Sequence, residues 1–293
     1  MSKFIKKCFL FLGIIVGLNG VYLLLLLKFS SGFNKIYNVS KFQNKDYELI
    51  ALGNSMALDG IDTGYLNDKG IKAYNMAVAG NHISTTLMMF ESYLNNNKAP
   101  KTVLVGLSSA VGRSYLNPIA YSNPEVDFFY KPSLWNNIKN PPLLNFQWLA
   151  VDMFKILISK EYREASMVEG QWRTQKVIPD YSVFNSANSK KFDYSSPDLS
   201  KLINICKERN ITVVLVEMTG SNASRNEMPF IYKVQLADNS KNIVYNLNNI
   251  IIGSKIINGQ TDWLSKDHLN VYGAKKQTEF IYNEILKKDF NLN

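Results

Sequence analysis

The chain opens on an apolar run from Cys8 to Leu27, broken only by the uncharged Asn19 and closed by Lys28. About 20 residues at ~1.5 Å each match a ~30 Å hydrocarbon core, so the run predicts a transmembrane helix. Lys3, Lys6 and Lys7 precede it, and a basic flank of this kind places the N-terminus in the cytoplasm and the remainder outside. The competing reading is a cleaved signal peptide with Ser30 and Ser31 near the cleavage point. The length of the run, and its ending in Leu23 to Leu27 without a break, favour a retained anchor. Residues 29–45 are polar and read as a juxtamembrane linker.

Beyond the linker the pattern changes to short apolar runs separated by helical ones. Tyr47–Leu52, Lys72–Val78, Thr102–Leu107 and Ile211–Met218 predict buried strands, and Ile250–Ile257 reads as another. Leu87, Met88, Phe90 and Leu94 fall at helical spacing. Pro197–Arg209 is an amphipathic helix with Pro197 and Asp198 at its start. Tyr272–Lys288 closes the chain as a helix with Lys287 and Lys288 in its last turn, where cations favour the dipole. Strands apolar throughout and alternating with helices imply an α/β domain over 46–293, its parallel sheet covered on both faces. Ligands collect at the carboxyl ends of such strands, where Gly53-Asn54-Ser55, Gly80 and Ser108 fall.

Between about 111 and 196 the alternation stops. This stretch carries six prolines (Pro118, Pro124, Pro132, Pro141, Pro142, Pro179), Trp135, Trp148 and Trp172, and many Tyr and Phe; Leu149–Ser159 reads as a helix. It is expected to be an aromatic-rich insertion over the strand ends, packed on the domain or resting on the bilayer.

Composition narrows the function classes. The formal charge of +9 is spread without a run of five or six like charges, which suits an anionic lipid or glycan surface. No basic stripe or aromatic RNA-binding motif accompanies it, so nucleic acid is not an expected partner. Cys8 lies in the apolar run and Cys206 in an amphipathic helix, so neither an internal disulfide nor a cysteine metal site is expected. The chain has two histidines, and their placement gives no metal-binding spacing; no metal or other cofactor is expected.

Two histidines also make candidate bases few. His82 opens the helix after the second strand. His268 sits in a loop before the last helix, within Ser265-Lys266-Asp267-His268-Leu269-Asn270. A serine becomes a nucleophile when a base takes its proton and a third group orients the base. Ser55, in a Gly-Asn-Ser turn after the first strand, is the candidate nucleophile.

These blocks together resemble the SGNH (GDSL-like) hydrolase family. The resemblance rests on Gly53-Asn54-Ser55-Met56, on Asn75-Met76-Ala77-Val78-Ala79-Gly80, and on His268-Leu269-Asn270 with Gly273-Ala274. It covers about residues 46–110 and 197–288 and implies a three-layer α/β/α, flavodoxin-like fold. It further implies Ser55 as nucleophile, His268 as base, and the Ser55 and Gly80 N–H groups as oxyanion donors. The family's third block normally supplies an asparagine; here Thr102–Leu107 leads into Ser108-Ser109, so either a serine hydroxyl, that of Ser108, donates instead or the hole rests on the backbone N–H groups of Ser55 and Gly80. The family's acid lies three residues before the histidine, which here is Ser265. Asp267 is the favoured replacement, Asp262 the alternative, and a Ser-His dyad the third option.

By resemblance to anchored members of the family, the expected function is an extracytoplasmic serine esterase or O-acyltransferase. Its expected substrate is acyl, acetyl-like groups on a cell-surface polysaccharide or teichoic-acid-like polymer. The expected partner is a membrane-bound O-acyltransferase, and the expected location the plasma membrane, with one span. A catalytically decayed binding or assembly protein and an interfacial lipase are the alternatives.

Overall fold

The computed structural model describes residues 2–108, 124–133, 141–160, 165–180, 182 and 192–290. Ser109, Trp135 and the remaining parts of the expected insertion lie outside the described residues. The chain divides into two compact units: Met1–Lys41 with Asn123–Arg163, and Phe42–Ser122 with Glu164–Asn293. The insertion, expected as one piece, is thus shared between the two.

The first unit is helical. α1 (Ser2–Phe29) is the long apolar helix, with most of its side chains exposed, and is long and apolar enough to be an anchor or a signal sequence. α2 (Ser31–Ser40) replaces the expected linker. Ser30 caps it by accepting from the Phe33 N–H, and Phe33, Ile36 and Val39 bury one helical face. α6 (Pro124–Tyr130), α7 (Pro142–Asn145) and α8 (Gln147–Ile158) continue the helical unit, three helices of the second unit intervening in the chain. Its core is Tyr22, Leu26, Phe33, Phe146 and Leu149, so α1 contributes two of the five buried residues.

The second unit is built on six strands. They are β1 (Leu49–Gly53), β2 (Ala73–Asn75), β3 (Thr102–Leu107), β6 (Thr212–Glu217), β7 (Ile231–Gln235) and β8 (Lys241–Asn246). Their order is β2-β1-β3-β6-β8-β7, parallel throughout except for the antiparallel edge strand β7. Every residue of β1 and β3 is buried, which requires cover on both faces of the sheet. Among the described residues the helices of this unit include α3 (Ser55–Gly60), α4 (Thr63–Asp68), α5 (Ile83–Asn96), α9 (Pro197–Glu208), α10 (Ile250–Ile256) and α11 (Val271–Ile281). α5 packs on α9, and α3 on α11. Two short antiparallel pairs complete the unit: β4 (Ser166–Val168) with β5 (Gln171–Arg173), and β9 (Trp263–Ser265) with β10 (His268–Leu269).

Ile250–Ile257, expected as a strand, is mostly the helix α10. Asn249 decides this by accepting from both the Ile251 and Ile252 N–H groups, an N-cap that outweighs the strand preference of β-branched residues. The hairpin β7–β8 had no counterpart in the sequence reading. The last helix begins at Val271, and its course passes through a π-helical turn at Tyr282–Leu286.

β1 leads to β2 on one side and β3 lies on the other, so the chain changes direction between β1 and β3. In open parallel sheets this is the point where ligands bind, beyond the carboxyl ends of the strands.

Candidate functional site

Gly53 ends β1 with φ +144°, a conformation other residues rarely adopt. A Cβ there would lie 2.6 Å from the Gly106 carbonyl oxygen and 2.7 Å from the Ala57 Cβ. The chain therefore turns hard against β3 and enters α3 directly. Asn54 caps that helix by accepting from the Met56 N–H, which makes Ser55 its first residue. The Asn54 Nδ2 also donates to Ser108 Oγ at 2.5 Å, joining the ends of β1 and β3. Ser108 accepts in this bond, so its own hydroxyl hydrogen remains available to donate.

Asp59 lies four residues after Ser55, hence one turn along the same face of α3. Its carboxylate is almost fully buried, and its Oδ2 is 2.6 Å from His268 Nδ1. β10, which carries His268, packs directly on α3. The imidazole Nε2 and the Ser55 hydroxyl have no hydrogen bond among the described residues. Burial alone would push the His268 pKa down. The Asp59 hydrogen bond and the charges of Asp59 and Asp267 outweigh it and hold the imidazole above its ordinary value. The stabilisation this gives the fold is fully present below pH ~6.5 and is lost as pH rises through the raised value.

The short helix is held at its far end as firmly as at its start. Asn75 Nδ2, at the end of β2, reaches the carbonyls of Ala57, Leu58 and Ile61. Gln277 Nε2 donates to Gly60 O, and the fully buried Gln171 of β5 donates to Asp59 O. The carbonyls a helix end normally leaves unpaired are thus satisfied by side chains from three different elements.

The other expected residues have separate places. Asp267 accepts from the Ser221 N–H and from Ser224 Oγ, so it anchors the 221–224 turn instead of orienting His268 through Nδ1. Asp262 is fully buried, bonded by Lys276 Nζ at 2.7 and 2.9 Å and by the Asn258 N–H. Ser265 is the cross-strand neighbour of His268. Gly80 has φ +68°, is exposed, and would meet nothing within 4 Å if given a Cβ. The Val78 N–H donates to Gly53 O, which brings the Gly80 segment alongside the Ser55 turn. His82 is buried at the N-cap of α5.

A cavity of about 430 Å³ lies at the ends of β3 and β6. Met56, next to Ser55, lines one part of it, and Lys266 and Asp267, next to His268, line another. Ser108, Glu217 and Asn248 give it a polar wall. Glu217 Oε1 is held by the hydroxyls of Tyr194 and Tyr232, both at 2.7 Å. Buried beside that carboxylate, both phenols are pushed well above their ordinary pKa and act as donors.

Sequence reasoning missed Asp59 and the Glu217 cluster. The one local signal for Asp59 was a carboxylate at i+4 from the serine in an otherwise apolar stretch, Ser55-Met56-Ala57-Leu58-Asp59-Gly60. No protein-family model matches this chain, and no curated protein matches it either.

Proposed function

We propose that this protein is an SGNH-type serine esterase or O-acyltransferase with a flavodoxin-like three-layer domain, retained at the outer face of the plasma membrane by α1. The observation that carries this reading is the 2.6 Å contact between His268 Nδ1 and the buried Asp59, one helical turn from Ser55. Asp59 holds the imidazole with Nε2 as the basic nitrogen and stabilises the imidazolium once it forms.

Ser55 Oγ attacks an acyl carbonyl while His268 Nε2 takes the hydroxyl proton. The resulting oxyanion is met by donors at the strand ends: the Ser55 and Gly80 N–H groups and the Ser108 hydroxyl. His268 then returns the proton to the departing alcohol oxygen as the carbon–oxygen bond breaks, leaving the acyl group on Ser55. Water or a sugar hydroxyl attacks next and gives its proton to Nε2, which passes it to Ser55 Oγ as the acyl–oxygen bond breaks, regenerating the serine and the neutral imidazole. The polar cavity, with Glu217, Asn248 and Asp267 on its wall, suits a hydroxyl-rich polymer better than a fatty acyl chain. That favours an acylated surface glycan or teichoic-acid-like polymer, with a membrane-bound O-acyltransferase as the partner that delivers acyl groups.

Retention of α1 is supported by packing. Tyr22 and Leu26 are buried in the core of the helical unit, and cleavage after the apolar run would remove both.

The test is fluorophosphonate labelling of the full-length protein in detergent, beside Ser55→Ala, His268→Ala and Asp59→Asn. Labelling is expected in the parent and absent in Ser55→Ala, with strong loss in the other two; label in the parent that persists without Ser55 defeats the proposal. The pH profile offers a second check. Only neutral His268 accepts the proton, so kcat/KM should fall as pH drops through its raised pKa, with the acid limb above ~6.5. In Asp59→Asn the burial contribution is left in control, and the limb should move to lower pH.

A further inference from the structure

The helices α7 and α8 of the first unit are pinned to α1 at a definite height. Asn19 Oδ1 accepts from the Leu143 N–H at 2.9 Å, and Tyr22 Oη donates to Phe146 O at 2.7 Å. Asn19 lies eight residues before the end of the apolar run at Leu27, which is about 12 Å along the helix; Tyr22 lies about 8 Å from that end. Both points fall within the outer half of a ~30 Å hydrocarbon core.

The corner held there is built for a place without water. Pro141 and Pro142 have no N–H to satisfy. Leu143 N–H is taken by Asn19, and those of Leu144, Asn145 and Phe146 by Pro141 O and Pro142 O. From 141 to 146, therefore, no backbone donor depends on solvent, as irregular backbone at membrane depth requires. This also explains the one polar residue in the apolar run of α1.

The outward surface is lipid-like. Leu149 and Met153 turn α8 toward the α1 core, while Leu144 (62% exposed), Val151 (53%), Phe154 (63%) and Ile158 (81%) face away from it. Val151, Phe154 and Ile158 follow each other at three- and four-residue steps, one stripe of the helix. α1 likewise exposes most of its apolar side chains. At 12 residues, or about 18 Å, α8 is too short to cross a bilayer.

We propose that α7 and α8 form a re-entrant element that dips into the outer leaflet beside α1 and returns on the same side, with lipid acyl chains against Leu144, Val151, Phe154 and Ile158. The proposal rests on the reading of α1 as a retained span. It is tested on the full chain, in vesicles of phosphatidylcholine and phosphatidylglycerol with and without brominated acyl chains. The variants Leu144→Cys, Phe154→Cys, Val16→Cys and Lys241→Cys are made one at a time on a Cys8→Ser background that keeps Cys206, and labelled with an environment-sensitive dye. Cys206 is fully buried, and burial pushes its thiol up to about 12, so it stays unlabelled. Bromolipid quenching of several-fold is expected at 144, 154 and 16, and none at 241. Quenching at 16 with none at 144 and 154, and fast reaction of both with a membrane-impermeant maleimide, overturns the re-entrant element and leaves the span standing. No quenching at 16 overturns the span and the element together.

Discussion

Asp59→Asn is expected to lower kcat for acyl transfer by on the order of 10⁴, the loss seen when a triad histidine is left in the wrong tautomer. An asparagine amide in place of the carboxylate favours the imidazole with its proton on Nε2, which then cannot accept from Ser55. Asp267→Asn is the informative companion. Asp267 lines the cavity and accepts from Ser221 and Ser224, and an asparagine oxygen can still accept from both. Its effect should fall mainly on KM, with kcat within about tenfold of the parent. Steady-state kinetics on an activated acyl ester separates the two, and equal kcat losses would show that Asp59 is not the orienting acid.

The second large effect is expected at Gly53, and on stability. Gly53→Ala puts a methyl group 2.6 Å from a backbone oxygen of β3 and 2.7 Å from the Ala57 Cβ, at φ +144°. Neither neighbour is a flexible side chain that can swing aside. Backbone strain and overpacking together should cost about 3–5 kcal/mol. That is a large share of the ~5–15 kcal/mol by which a typical domain is stable. Urea unfolding of the detergent-solubilised chain, followed by tryptophan fluorescence, measures it. A midpoint unchanged from the parent would mean that β1 and β3 can separate at their ends.

What the sequence made legible follows how local each signal was. β3 is a largely apolar run buried on both faces, and the reading placed it over the same six residues, Thr102–Leu107; β6 is buried from Val214 on. β7 was missed because it lies at the edge: Val234 is buried, while Ile231, Lys233 and Gln235 are exposed, giving a mixed strand. α2 was hidden by its polar content, although Phe33, Ile36 and Val39 recur at helical spacing. Within the site, Ser55, His268 and Ser108 stand in short patterns next to strand or helix ends. The Asp59–His268 contact joins residues 209 apart in the chain, and only the packing of β10 on α3 reveals it. Proximity in sequence pointed to Asp267, which the turn at 221–224 claims instead.

The bracing of α3 has a mechanical consequence. Ser55 and Asp59 sit on one six-residue helix held at its far end by Asn75, Gln171 and Gln277, so the proposed nucleophile and acid move as one rigid body. His268 comes from a separate segment whose side-chain tie to that body is the Asp59 contact. A shift of the 262–270 segment that breaks the Asp59–His268 contact would therefore interrupt the proposed proton path, and its return would restore the path without any readjustment of Ser55 or Asp59.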